Sequence, residues 1–247
     1  MLADLPTAQF GSAGLTVLLL STVGVAVVHT LAGPDHYLPF IVMGKARRWS
    51  VKRTVWWTSL CGFGHVASSV VVALAAVIFG FGLERVAFIE EWRGGLAAWL
   101  LIAFGAVYLV WGLKRAWRSR AHGHGHAHEG GEEHAHRHSH DAAHAHAHGE
   151  TAGFNLTPWV LFTIFVLGPC EPMIPLVMYP AAQGNWLGLS VVITLFTVLT
   201  IGAMVGTVLL AGRGIQLLPL QRFERYTHAA AGAMVLLSGG AVYFLGL

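Results

Sequence analysis

Gly33-Pro34-Asp35-His36-Tyr37-Leu38-Pro39-Phe40-Ile41-Val42-Met43 closes one long apolar stretch, and Gly168-Pro169-Cys170-Glu171-Pro172-Met173-Ile174-Pro175-Leu176-Val177-Met178 sits inside another. At an offset of 135 the two strings begin with the same Gly-Pro and end with the same Val-Met, with two polar groups directly after each Gly-Pro. Proline has no N–H to donate and clashes with the preceding turn, so each string predicts a broken helix, with Gly33, Pro34, Gly168, Pro169 and Pro172 as the breaking residues. Breaks at matching positions of two halves are the sequence pattern of an internally repeated membrane protein with a central binding site.

Outward from these strings, the composition agrees. Of 247 residues 55% are hydrophobic and 11% charged, with a mean hydropathy of +0.61, far from the average soluble domain. The fold class expected is therefore an all-α membrane protein. A bilayer core needs about 20 apolar residues per helix, and six such stretches are expected: Leu15 to Met43, Thr54 to Gly82, Gly94 to Gly112, Pro158 to Tyr179, Leu187 to Ala211 and Thr227 to Leu247. The first and fourth carry the breaks. The first 13 residues hold no Lys or Arg, so no secretory n-region precedes the first stretch, which reads as a retained span.

Thirteen of the fifteen Lys and Arg fall in alternate loops, leaving Arg85 and Arg93 in the loop expected between the second and third spans, with Glu84, Glu90 and Glu91. By the positive-inside rule both termini are outside and the long insertion is cytoplasmic, the natural home being a bacterial inner membrane. The first span then runs inward and the fourth outward, giving two inverted three-helix repeats at residues 1–113 and 156–247, separated by a His-rich loop at 114–155. The mild net charge of +3 and the hydrophobic chain argue against a nucleic-acid partner. Two cysteines, Cys61 and Cys170, make neither a disulfide framework nor a CxxC motif.

Only two of the twelve acids, Asp35 and Glu171, lie deep inside apolar stretches on this reading. A carboxylate at bilayer depth costs roughly 2.5–3.5 kcal/mol on insertion scales and points to function. Its bland alternative is a cap for freed amides or a structural pair with a histidine. His29, His36 and His65 stand nearby in sequence or in the next span, and with Asp35, Cys170 and Glu171 they form a candidate metal-ligand set. Imidazole, carboxylate and thiolate together suit Ni, Co or Zn over Mg or Ca. Met43 and Met178 read as gap-filling core residues, and the tryptophans near segment ends as interfacial anchors.

From Arg120 to Glu150, histidines at His122, His124, His126, His128, His134, His136, His138, His140, His144, His146 and His148 alternate with small residues. Such a tract buries almost no apolar surface, so it reads as a disordered metal-capture loop, or more plainly as a solvated linker that titrates near neutrality.

His29-Thr30-Leu31-Ala32-Gly33-Pro34-Asp35-His36, then Gly64-His65, then Gly168-Pro169-Cys170-Glu171-Pro172 resemble the motifs of the nickel/cobalt transporter superfamily, in its urease-accessory-type and efflux-type branches. The resemblance implies a polytopic carrier of Ni2+ or Co2+ in which His29, Asp35 and His36 form the transport signature and His65 the second-motif histidine. The short chain with a His-rich central loop is closer to the efflux type. On this reading the protein is not an enzyme and has no prosthetic group. Its partners are the transported divalent ion, with Zn2+ admissible, and the lipid bilayer, besides a second copy of the chain or a metallochaperone. Two other classes compete: a thiol-disulfide electron carrier similar to those of cytochrome c biogenesis, and a metal-sensing accessory membrane protein. The first needs paired, accessible thiols, whereas the repeat partner of Cys170 is Asp35.

Overall fold

The computed structural model of the chain describes residues 12–118, 124–127, 133–136, 156–216 and 225–246. Helix α1 (Ser12–Ala32) stops two residues before Pro34, a 3-10 turn covers Pro34–His36, and α2 (Leu38–Ala46) resumes. Helix α3 (Val51–Phe79) starts from Ser50, whose Oγ accepts the Arg53 N–H at 3.3 Å, and ends at Gly80, which takes the left-handed φ of 67°. Helix α4 (Leu83–Arg118) follows, then α5 (Leu156–Leu167), α6 (Met173–Ala182), α7 (Trp186–Gln216) and α8 (Thr227–Leu245). Within the His-rich segment, strands β1 (His124–Ala127) and β2 (Glu133–His136) pair antiparallel, His124 opposite His136 and His126 opposite His134. The remaining loop histidines lie outside the described residues.

Both breaks fall where the prolines demand. Pro34 and Pro169 cannot donate to the carbonyls four residues earlier, Thr30 and Phe165, and the helices end at Ala32 and Leu167. The boundaries also keep the offset of the sequence strings. Ala32 and Leu167 end their helices 135 residues apart, Leu38 and Met173 begin theirs 135 apart, and so do Val51 and Trp186. Packing is reciprocal in part: α1 lies along α7 and α5 along α3, whereas α2 packs on α8 with no comparable contact of α6 on α4 among the described residues.

Among the described residues, five helices are long and apolar enough to cross a membrane, namely those at Gly14–Ala32, Val51–Phe79, Leu83–Arg118, Trp186–Gly214 and Thr227–Leu245. Their outer faces carry side chains such as Leu20, Ile78, Val107 and Leu210, each two-thirds exposed or more, as lipid contact requires. The chain thus reads as an integral membrane protein. The expected fourth span is divided into the shorter apolar helices α5 and α6. One expectation is corrected outright: residues 84–93 are no loop but the first turns of α4, and Glu90 there is completely buried. Charged residues next to an apolar stretch imitate a loop in sequence, yet this run is helical because Glu90 and Arg93, one turn apart, find polar partners inside the bundle. The 113/114 boundary likewise falls inside α4, which continues to Arg118.

In lipid, helices associate by close packing rather than by a hydrophobic driving force. The α4–α8 contact is built on that basis from glycines spaced seven apart, Gly105 and Gly112 against Gly232 and Gly239. A Cβ on Gly105, Gly112 or Gly232 would land on the backbone of Leu236, Ala229 or Leu109. At one end of the bundle, Arg47 donates to Thr157 Oγ1 at 2.7 Å and lies over the rings of Tyr108 and Trp111, while Arg115 also lies over Trp111. Tyr108 Oη and His228 Nδ1 meet there at 2.8 Å. The C-terminal ends of α2 and α4 and the first turn of α8 therefore meet at one end of the bundle.

Gly232→Leu should separate α4 from α8 and lower stability by about 1–3 kcal/mol or more, the usual cost of overpacking. Gly202→Ala, with nothing within 4 Å of the new Cβ, should be neutral or raise stability by up to about 1 kcal/mol. Thermal unfolding of the detergent-solubilised protein compares the two.

Candidate metal centre

The first break places its histidines by local geometry. His29 lies in the last turn of α1, and its carbonyl accepts the Gly33 N–H at 3.1 Å, closing the helix. His36 ends the 3-10 turn, which folds the chain back so that the two rings meet edge to face, centroids 4.7 Å apart. Gly33 has no side chain because none fits: a Cβ there would stand 2.8 Å from Asp35 Oδ1 and 2.9 Å from His36 Cε1. The carbonyl of Leu31, near the frayed end, accepts from Tyr37 Oη at 3.3 Å.

The third ring comes from the middle of α3. His65 is the central residue of that helix, fourteen positions from Val51 and from Phe79, or about 21 Å from either end at the helical rise. Its ring lies 5.0 Å from that of His36 and stacks at 6.2 Å on that of His29. One ring nitrogen from each of His29, His36 and His65 falls within 4.8 Å of the others.

Hydrogen bonding fixes which nitrogen two of the rings offer. His65 Nδ1 faces the Phe165 carbonyl at 3.3 Å, which can only accept, so Nδ1 carries the proton. Pro169 removes the i+4 donor of this carbonyl and the Gly168 N–H reaches it at 3.2 Å, so its second lone pair at the break anchors a histidine of the first half. His36 Nδ1 likewise faces two acceptors, Gly33 O at 3.2 Å and Asp35 Oδ1 at 3.1 Å. The Nε2 atoms of His29, His36 and His65 are all buried with no hydrogen-bond partner among the described residues. Two rings thus hold a proton on Nδ1 and keep Nε2 as a free lone pair, the arrangement in which an outer carbonyl or carboxylate orients a metal-ligating histidine. A cavity bounded by Gly94, Ala97, Phe165, Gly168 and Pro169 opens on His36, His65 and Asp35.

Four of the six residues expected at the site are brought together: the three histidines, with Asp35 on the flank of His36. The other two are not among them. Cys170 is buried among Ala26, Val66 and Met173, and its N–H donates to Ser69 Oγ at 3.0 Å. Glu171 is exposed.

A polar cluster that the sequence did not reveal stands beside the triad. Ser69 Oγ donates to Glu90 Oε2 at 3.2 Å, Arg93 Nη1 pairs with Glu90 Oε1, and Arg93 Nη2 donates to Ser68 Oγ at 2.8 Å and to the Val166 carbonyl at 3.0 Å. Its only trace in the sequence is a Glu and an Arg three apart at the edge of an apolar stretch, the spacing of a helical ion pair.

Comparison with known proteins adds no relative: no family model, curated protein or solved structure matches the chain. The likeness to the nickel/cobalt transporter superfamily therefore rests on the short motifs alone.

Ser69→Ala should cost about 1–3 kcal/mol, because it leaves the Cys170 N–H without an acceptor in a buried position. Exposed Ser190, whose hydroxyl donates to the Trp186 and Leu187 carbonyls of its own helix, should change stability by less than about 0.5 kcal/mol on replacement by Ala. Thermal unfolding of the two variants checks both.

Proposed function

We propose that the chain is a secondary carrier of divalent transition-metal ions, Ni2+ or Co2+ with Zn2+ also admissible, and that export is the favoured direction. The observation that carries this reading is the set of three buried Nε2 atoms without partners. A polar atom left unpaired in an apolar interior costs several kcal/mol, roughly 2–7 by reference state, so three around one point call for a ligand that accepts three lone pairs. Neutral imidazoles with one flanking carboxylate match borderline cations such as Ni2+, Co2+ and Zn2+, whereas Mg2+ and Ca2+ take oxygen ligands. Metal–nitrogen bonds of about 2.1 Å at a tetrahedral angle need nitrogens about 3.4 Å apart.

The reading extends to topology. The offset of 135 in the helix boundaries, the reciprocal packing and the charge asymmetry support six crossings in two inverted halves, with α1–α2 and α5–α6 as the broken ones. Both termini then lie outside, and the His-rich loop lies in the cytoplasm of a bacterial inner-membrane protein, where it gathers ions for the site. Rocking of the halves about the breaks would expose the triad to each side in turn. Two positive charges moving across the membrane exchange about 2.3 kcal/mol each per 100 mV, so potential or proton exchange can drive the step. Cys61 and Cys170, both free and buried in separate core clusters, favour this reading over thiol exchange.

Flux of radiolabelled Ni2+ in proteoliposomes tests the proposal. Wild type should move Ni2+ with competition from Co2+, Asp35→Asn and His65→Ala should lose most of the flux, and Cys61→Ser should keep it. Removal of residues 122 to 148 should alter affinity and leave transport, where a sensor would lose all response. Neutral imidazole is the ligand form, so binding should weaken as pH is lowered and protons compete for the same ring nitrogens. A folded wild type that moves no divalent ion would overturn the carrier.

A further inference from the structure

Glu90 is completely buried, and Arg93, one turn further along α4, is its ion-pair partner. Metal binding by the triad gives neither of them a task. Apolar residues of similar volume often serve stability as well as a buried ion pair does, so the question is what this pair holds in place.

The guanidinium reaches His65 from two directions. Arg93 Nη2 donates to the Val166 carbonyl at 3.0 Å, the neighbour of the Phe165 carbonyl on which His65 Nδ1–H rests. The same nitrogen donates to Ser68 Oγ at 2.8 Å, and that hydroxyl donates in turn to the His65 carbonyl at 2.9 Å. One contact holds the anchor of the ring, and the other holds the backbone that carries the ring. The Val166 carbonyl is free to accept because Cys170, its helical donor, has turned its N–H to Ser69 Oγ.

We propose that Arg93, locked by Glu90, is a positioning residue for the histidine triad. It clamps the unwound end of α5 to α3, so that His65 keeps its proton on Nδ1 and its Nε2 lone pair free. The effect on metal affinity rests on the carrier reading above, while the effect on the tautomer rests on the hydrogen bonds alone. Lysine keeps the charge opposite Glu90 but lacks the planar fork that serves several acceptors at once.

The test uses the full chain in detergent or nanodiscs. In metal-free Arg93→Lys, NMR of isotope-labelled histidine should show His65 exchanging between its two tautomers, where wild type holds the Nδ1–H form. Co2+ titration followed by visible absorption should show affinity reduced by about 10–100-fold, the range for loss of an outer partner of a ligating histidine, with an altered ligand-field spectrum. If Arg93→Lys fails to fold, Ser68→Ala, which removes one acceptor of the same guanidinium, should shift both readouts in the same direction by a smaller amount. Tautomer and Co2+ affinity both unchanged in a folded variant would overturn the proposal. If wild type binds no Co2+ while Arg93→Lys still releases the His65 tautomer, the metal reading falls and the positioning role stands.

Discussion

Much of this architecture follows from the N–H that a proline lacks. In water a freed carbonyl is solvated, but in hydrocarbon it must find a donor within the protein. Pro169 cannot serve the Phe165 carbonyl, which takes the Gly168 N–H at 3.2 Å instead and offers its second lone pair to the His65 ring of α3. That single bond connects the second break to the middle of a helix from the first half, and it decides which face of the imidazole stays free. At the first break the turn closes on itself, with Gly33 serving both the His36 N–H and the His36 ring. Breaks of helical structure thus become the anchors of the site.

Holding such breaks together requires helices that approach closely and do not slip. The glycines of α4 and α8 allow backbone-to-backbone contact, and the Glu90–Arg93 pair ties α4 to α3 and to the end of α5. Small residues provide proximity, and the buried ion pair fixes register. Each of the two devices is costly in isolation and stable only when the full set of partners is in place, which is why the polar cluster sits directly beside the triad and not on the lipid face.

The reciprocal packing of α1 on α7 and α5 on α3 gives the two halves comparable roles in the scaffold but unequal roles at the site. His29 and His36 come from the first break, whereas the positions matching Asp35 and His36 in the second hold a buried Cys170 and an exposed Glu171. The second half contributes backbone rather than side chains: a carbonyl for His65, another for Arg93, and the Gly168–Pro169 wall of the cavity.

The sequence by itself determined the apolar helices, the two breaks and their residue-for-residue spacing, because proline chemistry and hydropathy act locally and leave a one-dimensional trace. It also marked His29, Asp35, His36 and His65, since polar groups in apolar stretches stand out against their neighbours. Tertiary structure alone decided that the three rings converge, that Cys170 and Glu171 stay out, and that Glu90 and Arg93 lie inside α4 rather than in a loop. The reason is that ligand geometry and burial depend on which helix faces which, and a run of charged residues reads the same in sequence whether water or a folded partner receives it.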